Sequence, residues 1–417
     1  MRNVYINMGQ NIDKHKLSNG MVLLGERMEA VESAAFGFML PAGAAVMPRG
    51  CCGAANVIAD WIFRGAGKRD NKQLGDALDG LGLQRAAGVN TAHISIGAAL
   101  ESSNLSKAIE LYGDVILKPM LTDEQFTPAR QLAIDGVKGL DDDPRHKVML
   151  KLREEFYPEP LGRSTAGEIP DLEALTPETT KQIVAETLAP SRTIFTVAGK
   201  YDFDAVLHQM ENLFGDGRQV RGKSLTIGKR PGKYKYIQND VAQVHIGLMT
   251  PTVGLKDKDY YNARLAVSVL SGGMSARLFT EVREKRGLCY AVGAQYQALK
   301  EMAGIACYAG TTPDKAQETF DVIVAEFNRL ADGISEEEMQ RARVGLKSSL
   351  ILQSESSSSR AGSNAGDYYM LGRVRSLDEI KTQIDKTTVE SVLDFLRKNR
   401  FKDFTVVTIG PKEIKTG

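Results

Sequence analysis

Five histidines are scattered along the chain, at His15, His93, His146, His208 and His245, and none has another within a helical turn or two. A zinc site built on two histidines one turn apart on a helix is therefore excluded. In "AANVIADWIFRGAG", residues 54–67, Asn56 and Asp60 do stand one turn apart and offer two oxygens to one face. A hard cation needs several more oxygens, and no third or fourth ligand stands nearby. The four cysteines form no CxxC pattern: Cys51 and Cys52 are adjacent, and Cys289 and Cys307 are distant, so they read as packed thiols. In the second half, "REKRGLCY" places Arg283 and Tyr290 seven positions apart. The arginine is a permanent cation with a planar donor fork, and the tyrosine carries a phenolic hydroxyl. Such donors can hold a carbonyl and stabilise charge that develops on it. On residue types alone, a salt-bridged surface arginine and a core tyrosine are the simpler reading. Arg286, nearer the glycine, is the alternative cation.

The apolar pattern supplies a scaffold for these groups. Val57, Ile58, Trp61 and Ile62 recur at helical spacing and predict a helix packed against a core. Strands are expected over "GMVLLGER", "ESAAFGFML" and "HISIGAAL", and helices over "CGAANVIADWIF", "NKQLGDALDGLG" and "LSKAIELYGDVILKP". After residue 215 the same order returns. "VAQVHIGLMT" and "GIACYAG" read as strands; "DYYNARLAVSVLSGG", "SARLFTEVREKRG" and "PDKAQETFDVIVAEFNRLA" read as helices. A repeat of this length implies two copies of one α+β domain. The segment rich in Gly, Lys and Arg between them is the expected linker, which divides the chain into 1–215, 216–233 and 234–417.

Composition narrows the function classes. Lys+Arg and Asp+Glu number 53 and 52 in 417 residues, so no global field draws in nucleic acid or an anionic membrane. The longest apolar runs are broken by Glu, Pro and Gly, and no membrane span is expected. The N-terminus lacks an apolar signal core and an Arg- and Ser-rich transit pattern, which makes cytoplasmic location the expectation for a native start and leaves the periplasm open to a trimmed mature form. The stretch "SESSSSRAGSNAGDYY" reads either as a substrate-facing surface or, more simply, as a small-residue helix face packed on a neighbour.

Several segments, in order, resemble the M16 inverted-zincin peptidases: "GAANVIADWIFRGAGKR", "LDDDPRHKV", "LGRSTAGEIPDLEALTPE", "IFTVAGKYD" and "LSGGMSARLFTEVREKRGLCYAVGA". This is the family of the mitochondrial processing peptidase, the bacterial M16B peptidases and insulin-degrading enzyme. The resemblance implies two homologous α+β domains, each with helices packed on a mainly antiparallel sheet, arranged as half of a clamshell. Active members carry H-x-x-E-H on a helix, with the Glu activating a zinc-bound water and a later Glu completing the coordination. In that register the two histidine positions hold Asn56 and Asp60, the base position Ala59, and the later ligand position Gly136. The supporting Glu one helical repeat earlier is Ala129. No metal or other cofactor is expected in this chain.

Arg283 and Tyr290 match the pair through which active members reach substrate bound at the zinc. Gly272 and Gly273 sit where the noncatalytic subunit of the mitochondrial processing peptidase has a longer glycine-rich loop. The resemblance thus implies a noncatalytic subunit, similar to the alpha subunit of that peptidase and to the zinc-lacking subunit of bacterial heterodimeric M16B enzymes. It would bind peptide or unfolded polypeptide and lend Arg283 and Tyr290 to the site of a zinc-holding, HxxEH-bearing partner. No activity is expected alone, where a homodimer is one arrangement open to the chain. The alternative is a structural or assembly role, or peptide binding without peptidase activity, as for the core subunits of the cytochrome bc1 complex in this family.

Overall fold

The computed structural model describes residues 5–7, 10–216, 222 and 225–416. The expected linker falls partly on residues outside this set. The chain forms two compact units. The first comprises 1–139, 163–227 and 353–376, and the second 140–162, 228–352 and 377–417.

The first unit is built on strands β1 (Tyr5–Asn7), β2 (Gln10–Lys16), β3 (Val22–Arg27) and β4 (Ser33–Leu40). A two-residue hairpin follows, β5 (Gly65–Ala66) and β6 (Arg69–Asp70), then β7 (Gln84–Val89), β8 (Ile94–Glu101) and β9 (Ile194–Gly199). Seven of these make one sheet in the order β1-β2-β3-β9-β4-β8-β7. Only β3 and β9 pair in parallel. Successive strand residues point to opposite faces. Leu23, Phe36, Phe38, Ile96 and Phe195 therefore share one core with the helices Ala54–Trp61, Leu105–Leu117 and Phe203–Phe214. Val22, Leu24, Met39 and Ile194 turn the other way, onto the helix Ser357–Leu371.

That helix is the serine-rich stretch, and its small residues Ala361 and Ala365 are buried against the sheet. Packing, rather than an open surface, accounts for its composition. It also buries a charge. Arg360 Nε lies 3.0 Å from both Glu26 carboxylate oxygens, and its Nη2 lies 2.8 Å from one of them. Asn364 and Gln10 donate to the same carboxylate, each at 2.7 Å. Desolvating an ion pair is costly unless the remaining lone pairs are also satisfied, and here four donors converge on one carboxylate.

The second unit repeats the plan with β10 (Tyr234–Gln238), β11 (Val244–Thr252), β12 (Cys289–Ala298), β13 (Ala303–Thr311) and β14 (Thr405–Gly410). Their order is β10-β14-β11-β13-β12, with only β10 and β14 parallel. This matches β3-β9-β4-β8-β7 strand for strand, so "HISIGAAL" and "GIACYAG" occupy equivalent places. Helices Tyr260–Ser271, Ala316–Arg329 and Val389–Lys398 share the core on one face. The helix Pro144–Phe156 packs on β11, β13 and β14. It passes over Gly247 in β11, close enough that a Cβ there would touch both Val148 and Leu152 at 3.4 Å. Each unit thus takes one helix from the half of the sequence that mainly forms the other.

Candidate functional site

The helix Ala54–Trp61 is fixed at both ends by packing. It starts at Gly53, whose φ of 105° suits glycine and whose Cβ would lie 2.7 Å from Leu172. Trp61 at its end is fully buried, stacks edge-on to Phe126 at 4.9 Å, and donates its indole N–H to the Thr122 carbonyl at 3.1 Å. Between these anchors the polar side chains are all engaged. Asn56 donates its amide to the carbonyls of Thr165 (2.7 Å) and Ala166 (3.2 Å). Asp60 pairs with Arg64, and Ala59 packs half-buried against the core. On the neighbouring helix Asp123–Lys138, Ala129 is buried, while Gly136 is exposed and faces open space. Among the described residues no three His, Cys, Asp or Glu side chains gather into a metal-binding group. The Asn56 amide nitrogen aims donors at protein carbonyls, which is the opposite of what a cation requires.

Arg283 and Tyr290, in the second unit, line one cavity of about 570 Å³ together with Met149, Gly273, Gln295 and Tyr308. Arg283 belongs to a π-helical turn, Phe279–Glu284, a wide-pitched turn often found at functional sites. Its guanidinium lies over the Phe279 ring at 4.8 Å and makes no hydrogen bond or ion pair with any described residue. The neighbouring cations are spent. Lys285 and Arg286 both reach Glu281 at 2.7 Å, and their hydrogen bonds, Lys285's foremost, hold the Glu281 carboxyl below its usual range. Arg286, the alternative cation, is thus ion-paired where Arg283 is not. Tyr290 is the extra residue of a β-bulge, where pairing jumps from Cys289↔Thr311 to Ala291↔Gly310. A bulge re-aims its unpaired side chain, and Tyr290 is 84% exposed with no partner for its hydroxyl among the described residues. Neither the salt bridge nor the burial of the simpler reading is present.

Both glycines line a smaller cavity of about 190 Å³ beside Glu338 and Arg341, and of the two Gly273 also lines the larger one. Gly272 closes the helix Tyr260–Ser271, and a Cβ there would collide with the Ser268 carbonyl at 2.4 Å. Three further residues belong to the cavity's wall or its support and escaped sequence reading: Arg145, Tyr308 and His245. Arg145 lies over the Tyr308 ring at 5.0 Å, and the Tyr308 hydroxyl is 2.9 Å from His245 Nδ1. Burial pushes the His245 pKa down, against the opposing field of Asp143, so the ring is neutral at pH 7.

Two family models cover most of the sequence: Insulinase (Peptidase family M16) matches residues 22–169, and Peptidase M16 inactive domain matches residues 174–346. The chain belongs to the M16 peptidase family. Within it, an uncharacterized zinc protease of Rickettsia felis is 25% identical over 412 residues, spanning 98% of this chain and 100% of the relative. The fold is that of a peptidase M16 inactive domain from Pseudomonas fluorescens, with a TM-score of 0.86, 18% identity and coverage of 97% and 100%. A chain of complex III2 from Candida albicans superposes with a TM-score of 0.83 at 20% identity, covering 95% of each chain. The M16 fold is thus shared across chains of quite different setting, and function has to be argued from the side chains.

Proposed function

We propose that this M16 chain is a noncatalytic subunit that binds peptide and contributes Arg283 and Tyr290 to the active site of an HxxEH-bearing M16 partner. One observation carries the reading: the polar side chains at the degenerate metal positions are consumed by internal bonds, whereas Arg283 and Tyr290 share a cavity with their donors unspent. The zinc in the partner would supply the activated water. The residues of this chain act on the other side of the scissile bond. The guanidinium fork of Arg283 holds and orients the peptide carbonyl, and the Tyr290 hydroxyl donates to the oxygen as it becomes negative. Donors pre-set for that charge stabilise the transition state more than the ground state. The duplicated halves, 1–215 and 234–417 about the segment 216–233, then divide the labour: the first keeps the scaffold and the second keeps the substrate contacts.

Co-purification with a candidate HxxEH partner, followed by peptide-hydrolysis assays of each chain alone and of both together, tests this. The expected result is no hydrolysis and no stoichiometric zinc for this chain alone, and turnover by the pair well above that of the partner alone. Hydrolysis by the isolated chain, or about one zinc per chain after dialysis, would overturn it. A pair no more active than the partner alone would favour a structural or assembly role.

A further inference from the structure

Arg283 is not the only cation in its cavity. Arg145 lines the same walls, and no carboxylate or lysine does so among the described residues. Five other arginines of this unit are paired with carboxylates: Arg277 with Glu338, Arg286 with Glu281, Arg329 with Glu326, Arg341 with Glu337 and Arg397 with Asp394. Arg145 and Arg283 instead rest on aromatic faces, over Tyr308 at 5.0 Å and over Phe279 at 4.8 Å. Stacking fixes the plane of a guanidinium and leaves its N–H edge open to an acceptor in that plane. The acid closest in sequence, Asp143, caps the helix by accepting from the His146 backbone N–H at 3.0 Å and makes no ion pair with Arg145.

The position of Arg145 is also unfavourable by itself. It is the second residue of the helix Pro144–Phe156, where the helix dipole disfavours a cation. A purely structural arginine gains more at the other end. Two unneutralised guanidinium groups in one cavity repel each other, and an anion entering between their fields relieves both. A lysine- or arginine-bearing segment would meet like charge.

We propose that the cavity recognises a carboxylate-bearing peptide, with Arg145 as the receptor of the carboxylate and Arg283, whose fork takes the peptide carbonyl, adding its positive field. The inference deepens the peptide-binding part of the function proposed above and rests on it. Two sources share this chemistry, an Asp or Glu side chain and a peptide C-terminus.

The test is a fluorescence-anisotropy titration of the full chain, without partner, against one labelled unstructured peptide in four forms. These carry Glu or Gln at one central position, each with a free or an amidated C-terminus. Expected is binding about tenfold tighter for a carboxylate form than for the Gln amide, the scale of a charge-assisted hydrogen bond. The Glu amide and the Gln free acid tell the two sources apart. The preference should shrink at high salt and vanish in Arg145→Met. Arg283→Met, which removes the second cation's field, should shrink the preference and serves as the check should the first variant fold poorly. Equal binding of all four forms, no binding at all, or a preference that survives both variants would overturn the proposal. Because no partner is present, a failure of shared catalysis would leave this result standing. Equal binding beside Arg283-dependent cleavage by the pair would remove only the carboxylate preference.

Discussion

The helix Ala54–Trp61 and the cavity beside Phe279–Glu284 both carry polar side chains, and they spend them in opposite ways. On the helix, Asn56 tethers a loop through two carbonyls and Asp60 holds Arg64. In the cavity, Arg283 and Tyr290 hold nothing. A buried or half-buried polar group with its bonds satisfied contributes to stability. An exposed cation and a bulge-directed phenol, with solvent as the partner of their donors, contribute little to folding. On the function proposed above, the two regions differ in where their hydrogen bonds go.

Stability measurements can sharpen or break this contrast, beginning with the largest effect. Arg360→Met strands the Glu26 carboxylate, which is only 5% exposed, and should cost about 3–5 kcal/mol in denaturant unfolding. A loss below that of a surface substitution would mean the network is not a stabilising use of polar groups. Asn56→Ala should cost about 1–2 kcal/mol by releasing the Thr165 and Ala166 carbonyls. Unchanged stability would leave Asn56 unemployed and reopen the possibility of a ligand there.

A smaller effect depends on pH. The hydrogen bonds from Arg277 hold the Glu338 carboxyl down at about 2, from an ordinary 4.5. A depressed carboxylate adds stability above its unfolded pKa and loses it as pH falls through the folded value. The melting temperature of Arg277→Met should therefore lie below wild type above pH 4.5, with the gap closing as pH falls towards 2. A gap independent of pH would mean Arg277 acts by packing alone. The smallest effect is the most informative: Arg283→Met and Tyr290→Phe should each lie within about 0.5 kcal/mol of wild type. A large loss in either would mark the pair as structural.

The framework was legible in the sequence because alternation and helical periodicity report burial directly. The strands "ESAAFGFML" and "HISIGAAL" became β4 and β8, and the repeat emerged as a shared strand order. What sequence withheld was partnership. Small residues say that Ser357–Leu371 packs on a neighbour, but not on which sheet. The bulge at Tyr290 depends on register with β13, which no feature of "GLCYAVGA" encodes. The meeting of Arg145, Tyr308 and Arg283 joins three distant segments. One local signal was available for Arg145: a cation directly after a helix-opening proline, at the wrong end of the dipole.

Steady-state peptide cleavage by the reconstituted pair tests the central claim most directly, comparing wild type with Arg283→Lys and Tyr290→Phe after melts confirm intact folding. Losing one donor to a developing oxyanion should lower turnover about 100-fold. Lysine should not rescue Arg283, since an ammonium lacks the planar fork. Unchanged turnover in both variants would contradict a shared active site.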